Sequence, residues 1–193
     1  SHQKAIHLLE LAVQLDPNYA KAHALLAHLI LDSSFYGSYS QKDVLLLAKP
    51  HIDLALSIQE DLPETYMALA RWYSHNGQSA LTQDAYESAL KHGPNDANTL
   101  KSLAIYFLWH KNEYQRALDT ILKAINIDPN SISQKQVLAD ALVANGKFSD
   151  AEKVLINLQN SPHVLRSLSL LYGEGLHQFS KAILTRQQVL AID

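Results

Sequence analysis

Apolar residues recur at spacings of three and four along nearly the whole chain, and no stretch alternates apolar with polar for long enough to make a strand. One apolar-x-x-apolar-small-x-x-apolar pattern returns several times. It reads Leu26-Ala27-x-x-Ile30, Tyr66-x-x-Leu69-Ala70-x-x-Tyr73, Leu100-x-x-Leu103-Ala104-x-x-Phe107 and Leu138-Ala139-x-x-Leu142. Such spacing gives each helix one apolar stripe, with small residues where two helices approach to about 8–10 Å.

A second pattern follows the first. Four segments end alike: Ala12-Val-Gln-Leu-Asp16-Pro17, Ala89-Leu-Lys-His-Gly93-Pro94, Ala124-Ile-Asn-Ile-Asp128-Pro129 and Val189-Leu-Ala-Ile-Asp193. A small residue precedes each proline by five positions (Ala12, Ala89, Ala124) and a large one by eight (Leu9, Tyr86, Ile121). Twelve before stand Ala5 and Ala117, with Thr82 at that place in one repeat. Asn76-Gly77 and Asn145-Gly146 fall where a first helix should end, supplying the left-handed cap that glycine takes without strain. Ser131-x-x-Gln134 and Ser149-x-x-Glu152 read as capping boxes. Asp61-Leu62-Pro63 and Ser161-Pro162 read as helix starts with proline in the first turn.

The helix-pair signature and the period together resemble the tetratricopeptide repeat family, whose period is about 34 residues; Pro94 and Pro129 stand 35 positions apart. The resemblance implies an all-α fold, a right-handed superhelical solenoid of antiparallel helix pairs. The expected layout is a single solenoid over residues 1–193: a leading second helix at 3–16, then repeats at 20–62, 63–96, 97–131, 132–161 and 162–193. Glu60 stands where the first full repeat should end in proline, and Arg186 stands where the last repeat should carry a large apolar residue. The chain opens on a second helix and closes one residue short of the expected proline, which reads as a fragment of a longer protein.

Composition narrows the function classes. Hydrophobic residues make up 47% and charged residues 18%, an ordinary globular mix. A net charge of −3, with basic residues scattered singly, gives no electrostatic footprint for nucleic acid. The chain has no cysteine, which removes thiol catalysis and disulfides. No apolar run approaches the ~20 residues that cross a bilayer, and no targeting segment marks the compartment, cytoplasmic or periplasmic.

Ten histidines raise the question of a metal. The closest pairs, His2/His7 and His23/His28, are five apart, about 500° around a helix and off a common face. No metal, cofactor or catalytic residue is therefore expected, and no phosphate-binding or nucleophile-elbow motif occurs.

In the tetratricopeptide family the first helices line a concave wall that commonly holds an extended peptide or a partner helix. By register, that wall would carry Lys21, His28, Arg71, His75, Lys101, Trp109, Gln136, Asp140 and Arg166. The alternative is that these are ordinary solvated residues. The Lys-x-x-x-Asn arrangement by which chaperone-binding relatives hold a terminal carboxylate is missing. One feature breaks the period: about nine extra residues between Ile30 and Ala48, including Phe35, Tyr36, Gly37 and Tyr39. These aromatics are either a contact site or a plug over the helix pair. The insertion also resembles, on these few residues, repeat arrays fused to bacterial winged-helix regulators and nucleotide cyclases. The function expected is a non-catalytic interaction scaffold or sensor arm for a protein or peptide. The alternatives are a structural spacer or self-association module working through its ends, or an enzyme with a site between helices.

Overall fold

A computed structural model describes residues 2–34, 39–158 and 162–190. Among the described residues there is no strand, as the periodicity predicts. The residues fall into two compact units, Ser1–Pro94 and Asn95–Asp193.

In the first unit the order is α1 (His2–Leu15), α2 (Ala20–Asp32), α3 (Gln41–Ile58), α4 (Pro63–His75) and α5 (Ser79–His92). α2 pairs with α3 and α4 with α5, and α2 also packs on α1 and α4. Each first helix is thus covered from more than one side, which explains why its buried face is wider than a single stripe. On α4 the buried residues are Thr65, Met67, Ala68 and Ala70, while Tyr66, Leu69 and Tyr73 stay partly exposed. The core gathers Leu26, Ala27, Ile30 and Leu31 of α2 against Val44, Ala48 and Ile52 of α3 and Ala68 of α4. Ala27, Ala48, Ala68 and Ala70 are fully buried at these crossings. Replacing one with leucine would overpack it by about 1–3 kcal/mol.

In the second unit the order is α6 (Ala97–Tyr106), a π turn (Phe107–Lys111), α7 (Tyr114–Ile127), α8 (Ile132–Ala144), α9 (Phe148–Ile156), α10 (Pro162–Leu170), a second π turn (Leu171–Gly175) and α11 (Phe179–Leu190). The pairs are α6–α7, α8–α9 and α10–α11. Ala104, Ala117, Ile121, Ala124 and Ala139 are buried at the contacts, as the small and large positions predict.

The turn chemistry explains both the regular repeats and the irregular ones. Gly77 and Gly146 sit at φ +73° and +72°, and the following amides, Gln78 and Lys147, donate to the carbonyls of Tyr73 and Leu142. This is the glycine-capped helix end expected. After α6 and α10 the bond closes one residue further back: Glu113 donates to Phe107 and Gln178 to Tyr172. Asn112 and His177 take the positive φ in these turns. The extra residue is absorbed as a π turn, which is why the Pro94-to-Pro129 spacing is 35 and not 34.

Three local expectations need correction or refinement. Ser149 does not cap α9; Lys147 holds the N-cap place and no side chain caps it. At α8 only half of the capping box forms. Ser131 accepts from the Gln134 amide at 3.4 Å, but the Gln134 side chain is buried and its Oε1 has no partner among the described residues. Gln134 instead fills the third position of its first helix, a place also buried at Ala22, Thr65, Thr99 and Val164. In the last helix Arg186 is exposed and Thr185 is buried one residue earlier.

The insertion resolves into two parts. Eight residues of sequence separate α2 from α3 against three between α4 and α5, and α3 has 18 residues against 14 in α5. Five and four account for the nine extra residues. α3 and α5 end 34 positions apart, so the added helical turn is Gln41–Val44, capped by a reciprocal box between Ser40 and Asp43. Phe35, Tyr36 and Gly37 lie outside the described residues.

Candidate functional site

The first helices of the first unit carry Lys21, His28, Arg71 and His75. Lys21 and Arg71 are engaged by carboxylates across α2 and α4. Lys21 Nζ lies 2.6 Å from Glu64 Oε1, which stands in the first turn of α4 where a carboxylate suits the helix dipole. Asp32 ends α2, where its charge opposes the dipole. His28 Nε2 lies 3.8 Å away, and the Arg71 guanidinium of α4 pairs with it directly. Burial lowers the Arg71 pKa from its ordinary value, and Arg71 Nε has no partner among the described residues. The carbonyl of His75 accepts from the side chain of Gln41, at the start of the inserted turn.

The second unit carries Lys101, Trp109, Gln136, Asp140 and Arg166. Lys101 Nζ reaches Ser133 Oγ at 3.4 Å, linking α6 to α8. Gln136 and Asp140 are half-buried on α8, and Arg166 is exposed on α10. Trp109 differs from all of them. It sits in the middle of the π turn with 65% of its surface exposed. Beside it in the chain, His110 stacks on Tyr106 (5.6 Å between ring centroids) and Lys111 lies over the same ring at 5.9 Å, while Arg116, ion-paired with Glu113, covers Phe107 at 4.1 Å. Tryptophan and arginine types are the ones in which interface energy concentrates.

Tyr39, the described aromatic of the insertion, is 49% exposed. It borders a depression of about 430 Å³ with Gln3, Ile6, His7, Glu10 and Ser33.

The histidines group in a way that sequence spacing does not show. His23 of α2 meets His51 of α3, with Nδ1 to Nδ1 at 2.8 Å and the rings stacked at 5.1 Å. His23 Nε2 lies 3.0 Å from the carbonyl of Pro17, so it carries the proton and donates. His23 Nδ1 is then an acceptor, and His51 Nδ1–H is its donor. Burial and the neighbouring His23 lower the His51 pKa, with Glu10 opposing. Among the described residues no three His, Asp or Glu side chains converge to hold a metal ion. No helix among them is long and apolar enough to cross a membrane.

With this geometry in hand, solved structures identify the architecture. YrrB, described as a TPR protein with an unusual peptide-binding site, aligns with TM-score 0.61 at 16% identity over 96% of this chain and 92% of its own. The fold is that of tetratricopeptide-type repeats. Pseudomonas aeruginosa pilF aligns with TM-score 0.71 at 20% identity, over 89% of this chain and 76% of its own. Human IFIT1, solved as a dimer with m7Gppp-AAAA, aligns with TM-score 0.77 at 15% identity; this chain spans 43% of it. No family model and no curated protein sequence matches the chain.

Proposed function

We propose that the chain is a non-catalytic scaffold or sensor arm that binds a peptide or a partner helix along the wall of its first helices. The single observation that carries this reading is Trp109, a largely exposed tryptophan held on a π turn. Such a side chain can bury ~150–250 Å² against a ligand. Lys101, Gln136, Asp140 and Arg166 form the rest of the wall in the second unit. Lys21, His28, Arg71 and His75 hold the corresponding register positions on the first helices of the first unit. The peptide-binding site named for YrrB belongs to the same fold and supports the reading. IFIT1 carries a capped RNA, but the net charge of −3 here favours a peptide ligand.

A selection from a random twelve-residue peptide library on the intact chain tests this. Selected peptides should bind the native chain and lose about 1–3 kcal/mol with Trp109→Ala, while helicity stays unchanged. A capped oligoribonucleotide in the same titration should not compete. Competition by that RNA, or affinity indifferent to Trp109, would remove the proposal.

A further inference from the structure

The inserted turn of the first unit changes the surface around it. Gln41–Val44 lengthen α3 at its start, and α3 and α4 now border a depression of about 540 Å³. Its apolar lining is Leu45, Leu46, Pro50 and the indole of Trp72. Leu46 is 64% exposed there. Trp72 is fixed from both sides. Its Nε1–H donates to the Leu45 carbonyl at 3.1 Å, and Lys49 Nζ lies over the ring at 5.6 Å. An aromatic surface held in this way is ordered before any ligand arrives, which removes part of the entropic cost of binding.

Two further features give the depression polarity. Pro50 lies inside α3 and has no N–H, so the Leu46 carbonyl lacks its usual helical donor. Lys42, from the inserted turn, and Lys49 bring two ammonium groups to the rim. One acid, Asp53, answers them, at 2.7 Å from Lys49. The local balance is +1 in a chain whose total is −3.

We infer that the α3–α4 depression is a docking site for a short acidic–apolar peptide segment of a partner protein. An apolar side chain would rest on Trp72 and Leu46, an adjacent carboxylate would meet Lys42, and a backbone N–H would donate to the Leu46 carbonyl. This inference rests on reading the chain as a peptide-binding scaffold, but it places a second contact away from Trp109 and assigns it a ligand chemistry.

The test uses the intact chain and the twelve-residue peptide library. Peptides enriched on the native chain are divided by counter-selection against Leu46→Glu, a substitution at an exposed position. The subset lost in that step should share a carboxylate next to a large apolar residue. Titrated into the Trp109→Phe chain, in which Trp72 is the remaining tryptophan, these peptides should change the indole fluorescence. Lys42→Glu should weaken them about tenfold, and raising the salt should weaken them as well. Trp109→Ala should leave them unchanged, and circular dichroism should match across all variants. A lost subset that is basic or without pattern, an affinity indifferent to Lys42→Glu, or no lost subset at all would overturn the inference. If peptides dependent on Trp109 are still recovered, the scaffold reading stands without this site. If no peptide binds the chain anywhere, both fall.

Discussion

The two units present their first helices in opposite conditions. In Ser1–Pro94 the first helices' charges are matched across α2 and α4: Lys21 by Glu64, and Arg71 by Asp32. In Asn95–Asp193 the π turn after α6 carries the exposed Trp109, and Lys101 reaches a serine hydroxyl. The same repeat register therefore serves two ends. In one unit its polar positions fasten helix to helix. In the other, the proposed reading gives Trp109 an outside ligand.

The largest expected effect breaks the fastening. Asp32→Ala strands the Arg71 guanidinium among packed helices without a counter-charge. The first unit should lose about 2–3 kcal/mol, somewhat under the usual cost for a fully buried pair because both side chains retain some exposure. Urea unfolding of the intact chain measures this, and a loss under 0.5 kcal/mol would show that the pair is ornamental.

Next come the caps, which the units share. Gly77→Ala and Gly146→Ala each force a side chain into φ near +70°, at about 1 kcal/mol apiece. Equal losses would show that the units differ in their walls and not in their turns.

Proton linkage sharpens the contrast further. His51 has a folded pKa below its ordinary value of 6.5, because burial and His23 disfavour its charged form. The unfolded chain thus binds more protons in that range. The stabilisation is present above pH 6.5 and is lost as pH falls through the folded pKa. A second proton would set two N–H groups against each other across the 2.8 Å contact. Stability measured by urea at a series of pH values should decline on acidification, and His51→Gln should flatten that slope. An unchanged slope in the variant would assign the decline to other groups.

The smallest effects are on the surface. Lys21→Ala should cost well under 1 kcal/mol, since the pair is largely solvated. Trp109→Ala should shift stability by no more than about 0.5 kcal/mol. A large loss at Trp109 would mean that it holds the fold together and is not held out for a partner.

Much of this was legible in the chain itself, and the reasons are local. Helix pairing, the buried alanines at 27, 70, 104 and 139, and the glycine caps follow from spacing and from backbone preference. The first π turn had a signal as well, the 35-residue interval between Pro94 and Pro129, one residue over the family period. The contacts that set the two walls apart were not legible. Arg71 and Asp32 are 39 positions apart and His23 and His51 are 28 apart. Such pairings depend on how helices stack, which periodicity does not encode. Nor does it tell a loop insertion from an added helical turn, and Lys42 owes its place to the latter.

The central claim is that the first helices of the second unit receive a peptide. Photo-crosslinking answers it directly: a selected peptide carrying a photoreactive residue is irradiated on the intact chain, and the joined positions are mapped by mass spectrometry. The account predicts adducts at Trp109 and at nearby first-helix positions such as Lys101, Gln136 and Arg166, abolished by excess unlabelled peptide. Adducts confined to second helices α7, α9 and α11, or insensitive to competitor, would contradict it.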